Sequence, residues 1–270
     1  MKYKLICSDL DDTLLTSDGR IEEDVKKAIA RFVKIGGKFC IVTGRMTVGA
    51  IPMAKELGLH GEIITYQGAV VSDIDSGEIL YSATIPYEDA VEIGKFVEEM
   101  GVYYQTYIGD KFYTEKATEA TKLYKKLTQA NYEETQIKLS DFISVNKVSP
   151  PKMMLICEVD KVPGILKMLV EKFGDKYLIN TSKPFLIEII PQGVSKGIAV
   201  KNLAKKYGIR REEIVCVGDS DNDLTMIKYA GLGVCVSNGS KNAINEADLV
   251  APSADEYGVA WLINEVVLQD

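Results

Sequence analysis

The sequence predicts an α/β protein with a parallel-sheet core that is interrupted by an inserted α+β domain. Short apolar runs of strand length alternate with helical stretches near both ends of the chain, which is typical of a parallel sheet. Between residues 84 and 188, strand-like runs follow one another in tandem, which indicates antiparallel pairing. We therefore predict a discontinuous core domain, residues 1–83 and 189–270, and an inserted domain, residues 84–188.

The N-terminal part of the core is predicted to contain three strands, at residues 5–8, 38–42 and 62–66. The first is an apolar run too short for a helix. Between the first two strands, apolar residues recur at helical spacing over residues 21–34. The helical stretch after the second strand contains Pro52, which is expected to kink or break it.

The inserted domain is predicted to combine a strand hairpin with helices and further strands. The hairpin joins residues 102–107 and 111–114 across a turn at residues 108–110. The other predicted segments are helices at residues 88–100, 117–127 and 162–173, and strand-forming stretches at residues 152–159 and 177–190. The core then resumes with an amphipathic helix that residues 193–197 open and that runs to Tyr207, a buried strand at residues 213–218 and further alternation to the C-terminal end.

The composition excludes several classes of function. A net charge of −7, with basic residues interspersed among acidic ones, argues against nucleic-acid binding. The chain has no apolar tract long enough to span a bilayer, and its N-terminal segment reaches Asp9 before a signal peptide could form, so we expect a cytoplasmic protein. His60 is the single histidine, which leaves proton transfer to carboxylates.

Acidic residues follow the first predicted strand directly. Asp9 and Asp11 are two residues apart, so in extended backbone their side chains project to the same side. Two anions placed in this way repel each other unless a cation or a shared proton lies between them. The pattern therefore predicts a metal-assisted carboxylate site.

Further polar residues lie at or near the ends of other predicted core strands, where open α/β sheets bind their ligands. Carboxylate oxygens are ligands that suit Mg²⁺, while hydroxyl, amide and ammonium donors suit an anion. A metal, an anion cradle and a nucleophile together indicate phosphoryl transfer. The residues at these positions are Asp9, Asp11, Thr43, Gly44, Arg45, Lys196, Asp219 and Asp223.

These motifs, in this order, resemble those of the haloacid dehalogenase-like phosphatases. The insertion looks like the C2B cap of the Cof-type branch, whose members hydrolyse small phosphorylated metabolites. The resemblance covers essentially the whole chain and implies a Rossmann-like core. The motifs are Asp9-Leu10-Asp11-Asp12-Thr13, Thr43-Gly44-Arg45, Lys196 and Gly218-Asp219-Ser220-Asp221-Asn222-Asp223.

The resemblance implies a role for each matching residue. Asp9 would attack phosphorus, and Asp11 would protonate the leaving alkoxide and then deprotonate the attacking water. Mg²⁺ would be bound by the carboxylates of Asp9 and Asp219 and by the backbone carbonyl of Asp11. The phosphate would be held by the Leu10 amide, Thr43, the Gly44 amide, Lys196 and Asn222. Asp223 would support Asp219 or the waters of the metal, and Arg45 would contact the leaving group or pair with an acid.

Two positions depart from the family pattern. Asp12 stands where many relatives have Gly, and aspartate tolerates unusual backbone angles better than most residues. Gln67 stands where relatives often have Asn, so we leave it outside the predicted site.

Each motif also has a purely structural explanation, as a turn or as the cap of a helix, and their combination favours a site. The expected activity is a phosphatase with Mg²⁺ as cofactor that acts on small phosphorylated metabolites, with sugar phosphates as the expected substrate class. A phosphosugar mutase and a non-catalytic phosphometabolite-binding protein remain alternatives. The expected partners include neither nucleic acid nor a membrane, and the protein is expected to be a monomer or a weak homo-oligomer.

Overall fold

The computed structural model describes residues 1–109, 111–128 and 130–269. Its strands are β1 (Leu5–Ser8), β2 (Lys38–Ile41), β3 (Glu62–Thr65), β4 (Val70–Asp73), β5 (Ile79–Ser82), β6 (Tyr103–Ile108), β7 (Lys111–Thr114), β8 (Asn131–Glu134), β9 (Met153–Ile156), β10 (Tyr177–Lys183), β11 (Leu186–Pro191), β12 (Ile214–Gly218), β13 (Leu232–Val236) and β14 (Leu249–Ala251). Its helices are α1 (Glu23–Lys34), α2 (Thr47–Glu56), α3 (Tyr87–Glu99), α4 (Glu119–Thr128), α5 (Leu139–Asn146), α6 (Val162–Phe173), α7 (Lys196–Tyr207), α8 (Leu224–Tyr229), α9 (Lys241–Glu246) and α10 (Gly258–Trp261).

The chain forms two compact units. The first comprises Met1–Gly44, Ala50–Leu80 and Ser195–Asp270, and the second comprises Arg45–Gly49 and Tyr81–Val194. The predicted combination of a parallel-sheet α/β core with a separate α+β region is confirmed. The domain limits at residues 83/84 and 188/189 stay predictions.

The main sheet of the first unit is parallel, in the order β14-β13-β12-β1-β2. Strand β1, which pairs with β12 and β2, is buried along its whole length because helices cover both faces of the sheet. Ile6 packs in one apolar cluster with Phe32 of α1, whereas Cys7 packs in another with Leu203 of α7. This alternation follows from the two-residue period of a strand.

The third predicted strand, β3, starts a small sheet with the order β3-β4-β5. It pairs antiparallel with β4, and a single parallel bridge joins Val42 to Ile64. Tyr66 was predicted as the last residue of this strand, but the strand ends at Thr65 because Tyr66 has a left-handed backbone with φ 52°. Pro52 was predicted to kink or break the second helix; a break is contradicted, since α2 runs through that residue, and a kink stays a prediction.

The second unit contains a six-stranded sheet in the order β10-β11-β9-β6-β7-β8. All of its pairs are antiparallel except β7 with β8. The predicted hairpin is present as β6 and β7, although Asp110 of its turn lies outside the described residues. Helix α6 matches its predicted limits, whereas β8 and α5 were not predicted.

Successive residues of β6 contribute to different environments. Tyr104 packs in the apolar cluster that α3, α5 and α6 share with the sheet. Gln105 instead donates from Nε2 to the Tyr107 hydroxyl over 2.7 Å, and the Tyr107 hydroxyl donates to that of Tyr124 in α4 over 2.9 Å. The second unit therefore contains a buried polar network as well as an apolar core.

No helix within the described parts of the chain is both long enough and apolar enough to cross a membrane.

Candidate active site

The candidate site is built where β1 and β12 end. The amide of Asp9 still donates to the Val217 carbonyl over 2.9 Å, so this residue continues the pairing of the two strands. Asp9 is thereby fixed at the carboxyl end of β1, where the residue is only 5% exposed. Asp219 directly follows the last residue of β12.

Helix α7 brings a lysine to the same place. Ser195 is the N-cap residue, and its hydroxyl accepts a hydrogen bond from the amide of Ile198, as serine commonly does at this position. Lys196, the first residue of the helix, is almost completely buried. Its Nζ lies 2.5 Å from Oδ1 of Asp9 and 2.6 Å from Oδ1 of Asp223.

Three carboxylates converge at this lysine. Asp9, Asp219 and Asp223 each offer an oxygen, and these atoms lie within 4.8 Å of one another. Asp223 is fully buried, and its Oδ2 accepts hydrogen bonds of 3.0 Å from the amides of both Asp219 and Ser220. Among the described residues, the carboxylate of Asp11 lies outside this metal-binding group.

Burial and the closeness of these carboxylates shift the pKa values of Asp9 and Asp219. Burial raises the pKa of Asp9 well above its ordinary value; Lys196 opposes this, whereas Asp223, Asp219 and Asp11 add to it. Burial and Asp223 also raise the pKa of Asp219 to about 6, although a hydrogen bond of 2.9 Å from the Thr13 hydroxyl lowers it. One buried ammonium therefore does not balance the negative charge of the cluster.

The donor set fits a small divalent cation. Carboxylate oxygens are hard ligands, and Mg²⁺ prefers such oxygens together with retained water molecules. A cation here would lower the pKa values of Asp9 and Asp219, because an opposite charge favours the ionised form. Asp9 and Asp219 could bind this cation. Asp223 belongs to the same carboxylate group, but it also accepts hydrogen bonds from Nζ of Lys196 and from the backbone amide of Asp219.

The predicted phosphate-binding residues occupy neighbouring parts of the first unit. Leu10 and Thr43 are buried. The amide of Thr43 donates to the Ile64 carbonyl over 2.9 Å, which ties the end of β2 to β3. Gly44 and Asn222 both contact Gln67, a residue outside the predicted site.

Two other motif residues, Arg45 and Asp12, have surroundings of their own. Arg45 belongs to the second unit, where its positive charge acts on the Tyr124 hydroxyl; burial, the larger effect, raises the pKa of that hydroxyl. Asp12 is exposed and has a left-handed backbone with φ 58°, which agrees with its interpretation as a loop residue that tolerates unusual angles. Its carbonyl accepts a hydrogen bond of 2.7 Å from Nδ2 of Asn238.

Gln67 is the residue at which Gly44 and Asn222 meet. It is 4% exposed, and its Oε1 accepts a hydrogen bond of 3.2 Å from Nδ2 of Asn222. A Cβ at Gly44 would lie 2.4 Å from Nε2 of Gln67, so the two residues are in close contact. The available sequence signal was its position directly after the predicted strand at residues 62–66, just as Asp9 and Asp219 directly follow β1 and β12.

Comparisons with known proteins agree with this arrangement. Residues 6–263 match the model of a family described as haloacid dehalogenase-like hydrolase. M6_Spy0533 of Streptococcus pyogenes serotype M6, named as a candidate phosphatase, is 32% identical over 99% of this chain and 100% of its own. YwtE of Bacillus subtilis, named as a 5-amino-6-(5-phospho-D-ribitylamino)uracil phosphatase, is 30% identical over 98% of each chain.

Solved structures show the same fold. A haloacid dehalogenase-like hydrolase from Bacteroides thetaiotaomicron superposes with a TM-score of 0.89 at 29% identity, covering 98% of this chain and 100% of its own. The subclass IIB sugar phosphatase BT4131 gives a TM-score of 0.83 at 20% identity, covering 98% and 99% of the two chains, and this similarity concerns the fold alone. With a family match over nearly its whole length and relatives that are phosphatases, the chain belongs to the haloacid dehalogenase-like hydrolases, in their Cof-type phosphatase branch.

Proposed function

We propose that this protein is a Mg²⁺-dependent phosphomonoesterase that hydrolyses small phosphorylated metabolites through an aspartyl-phosphate at Asp9. One observation carries the proposal. The buried carboxylate of Asp9 lies 2.5 Å from Nζ of Lys196 and shares its surroundings with two further carboxylates. A carboxylate held in this way is a suitable nucleophile, because the acyl phosphate that it forms is labile.

In the first step, an oxygen of Asp9 forms a bond to phosphorus, and the bond from phosphorus to the ester oxygen breaks. Asp11 donates its proton to that oxygen, so the leaving group departs as an alcohol. Lys196, Thr43, Asn222 and the amides of Leu10 and Gly44 hold the phosphate oxygens. Their donors face charge that spreads over those oxygens in the transition state.

In the second step, water attacks the phosphorus of the aspartyl-phosphate, and the bond from phosphorus to the Asp9 oxygen breaks. Asp11, now a carboxylate, accepts a proton from the water, and inorganic phosphate leaves. Both Asp9 and Asp11 return to their initial states. The two-step route replaces one very slow hydrolysis by two easier displacements.

The carboxylates of Asp9 and Asp219 and the backbone carbonyl of Asp11 would hold Mg²⁺, with Asp223 supporting Asp219. The bound cation supplies charge neutralisation for the anionic nucleophile and for the phosphate. Within the chain, the surplus of carboxylates over Lys196 supports this assignment.

Sugar phosphates are the proposed substrate class. The protein is proposed to be cytoplasmic and to be a monomer or a weak homo-oligomer. BT4131 is named as a sugar phosphatase, and the YwtE substrate named above carries a phosphorylated ribityl chain. Both names describe phosphate on a small polyhydroxylated molecule. Arg45 is proposed to contact the leaving group.

The test is hydrolysis of p-nitrophenyl phosphate, followed by phosphate release from a panel of sugar phosphates. We expect turnover that requires Mg²⁺ and is lost in Asp9→Asn, while the exposed-loop variant Asp12→Asn, chosen as the matched control, keeps most of it. Unchanged turnover in Asp9→Asn would remove Asp9 as the nucleophile. Isomerised sugar phosphate without phosphate release would indicate a mutase, and tight binding without hydrolysis under any metal would indicate a sensor.

A further inference from the structure

The loop after β3 has an unusual backbone. Tyr66, Gln67 and Gly68 have φ values of 52°, 60° and 100°, so three successive residues lie in the left-handed region. Glycine adopts this region readily, whereas tyrosine and glutamine rarely do. Left-handed backbone at such residues persists only where the surrounding contacts fix it, and it is concentrated at functional sites.

The Gln67 side chain contacts two predicted phosphate-binding residues, and its backbone contacts a third. Its Oε1 accepts the hydrogen bond from Nδ2 of Asn222, and its Nε2 lies against the α-carbon of Gly44. The backbone amide of Gln67 also donates to the backbone carbonyl of Thr43 over 3.1 Å. Gln67 thus connects the Thr43-Gly44 motif with the loop that follows β12.

Gly68 extends these contacts to the start of α7. A Cβ at this position would lie 2.5 Å from the carbonyl oxygen of Ser195, the residue directly before Lys196. Glycine is therefore required here both for its backbone conformation and for the close approach. One short loop contacts residues of, or next to, three of the four motifs.

The orientation of the Asn222 carboxamide is determined at both ends. Its Oδ1 accepts a hydrogen bond of 2.6 Å from the Ser220 hydroxyl, and its Nδ2 donates to Gln67. An amide nitrogen carries two hydrogens, so one bond to Gln67 leaves a second donor for a ligand oxygen. Removing the Gln67 acceptor would allow the carboxamide to rotate away from that orientation.

We infer that Gln67 is a positioning residue for phosphate binding, which holds the Asn222 carboxamide and the Gly44 backbone in their binding arrangement. The inference rests on the proposed phosphatase function. It adds to the site a residue that the motifs omit. Gln67 acts through Asn222 and Gly44, and needs no contact with the reacting atoms.

The experiment is a double-mutant cycle on the binding of inorganic phosphate, measured by calorimetry with Mg²⁺ present. Gln67→Met keeps a side chain of similar length against Gly44 but removes the acceptor for Asn222. We expect it to weaken phosphate binding about 3- to 10-fold, the usual effect of losing one hydrogen bond. In an Asn222→Ala background we expect the same substitution to weaken binding less than about 2-fold, because the coupled partner is already gone.

A second variant, Gln67→Asn, shortens the side chain at this position while keeping a residue that tolerates the left-handed backbone. Asn adopts left-handed backbone more readily than most residues, so Gln67→Asn tests the shorter carboxamide without adding strain. We expect weaker phosphate binding and a raised KM for p-nitrophenyl phosphate, with a smaller change in kcat. Circular dichroism and thermal unfolding verify that each variant is folded.

With an active wild type, two outcomes would overturn this inference but not the proposed function. One is unchanged phosphate affinity in both Gln67 variants. The other is a loss of affinity in the double variant equal to the product of the losses in Gln67→Met and Asn222→Ala, which would mean that the two side chains act independently. A wild-type protein that neither binds phosphate nor hydrolyses any phosphomonoester would instead remove the proposed function, and this inference with it.

Discussion

Both units bury a lysine almost completely, but the surroundings of the two lysines differ. In the first unit, Nζ of Lys196 lies within 2.6 Å of oxygens from Asp9 and Asp223, and Asp219 adds a third carboxylate. In the second unit, Nζ of Lys152 lies 3.1 Å from Oε1 of Glu188 and 5.2 Å from the centre of the Tyr107 ring.

The difference shows which buried charges indicate a site. Burial lowers the pKa of Lys152, but its attraction to Glu188, the smaller effect of Tyr124 and the hydrogen bond to Glu188 together raise that pKa above its ordinary value, so the charged form of this lysine is favoured. Around Lys196, burial and mutual repulsion instead raise the pKa values of Asp9 and Asp219. A buried ion pair is therefore weak evidence for function, whereas a buried surplus of one sign is an arrangement that a bound cation would neutralise.

The largest expected effect comes from Lys196→Met, which removes the ammonium and keeps the length of the side chain. We expect kcat/KM for p-nitrophenyl phosphate to fall about 10²- to 10³-fold, because a preorganised cationic donor to the phosphate is lost. Steady-state kinetics at saturating Mg²⁺ measure this effect. Lys152→Met is the matched control, and loss of turnover in folded Lys152→Met protein would contradict the structural role assigned to that lysine.

The next effect concerns stability in the second unit. Lys152→Met removes the ammonium that lies 3.1 Å from the buried Glu188 carboxylate, and we expect a loss of about 3–5 kcal/mol in the free energy of unfolding. Urea unfolding followed by circular dichroism measures it. The double variant Lys152→Met/Glu188→Leu should recover most of the loss, since an apolar pair of similar volume needs no countercharge. A double variant as unstable as the single one would show that other contacts of Lys152 dominate.

The sequence predicted the charged part of the site because local pattern determines it. Apolar runs that end in acids identify β1 and β12, and parallel strands bring their carboxyl ends to one edge of a sheet. The convergence of Asp9 with Asp219 follows from this rule. Helix α6 has its predicted limits for a similar local reason, its apolar periodicity, and α7 ends at Tyr207 as predicted.

Features that depend on tertiary contacts were not predicted. The left-handed backbone of Gln67 is fixed by neighbours distant in the chain, such as Asn222. Strand β8 is polar and largely exposed, so it lacks the alternation that identifies a half-buried strand. In α2, Pro52 removes one backbone donor without ending the helix, which shows that surrounding contacts can outweigh a local preference.

The smallest expected effect concerns Asp219 and the pH dependence of metal binding. Its pKa of about 6 lies above the ordinary value of 3.8, so without metal the folded state binds a proton more tightly than the unfolded state does. The stability that this proton contributes is present below about pH 4 and is lost as pH rises through 6. Because Mg²⁺ competes with the proton, we expect Mg²⁺ to raise the Tm strongly at pH 7 and little at pH 5.

Thr13→Val sharpens this test by removing the hydroxyl that donates to Oδ1 of Asp219 over 2.9 Å. Since this hydrogen bond lowers the pKa of Asp219, its loss should raise that pKa further and move the onset of Mg²⁺ stabilisation to higher pH. We expect Mg²⁺ affinity near pH 6 to fall about 3- to 10-fold, the range for the net contribution of one typical hydrogen bond. Thermal unfolding across a pH series with and without Mg²⁺ measures both effects, with Asp219→Asn as the control that should lose the Mg²⁺ response. A Mg²⁺-induced rise in Tm that is equal at pH 5 and pH 7 would show that Asp219 is not a metal ligand, and the surplus of buried carboxylates would then need another cation.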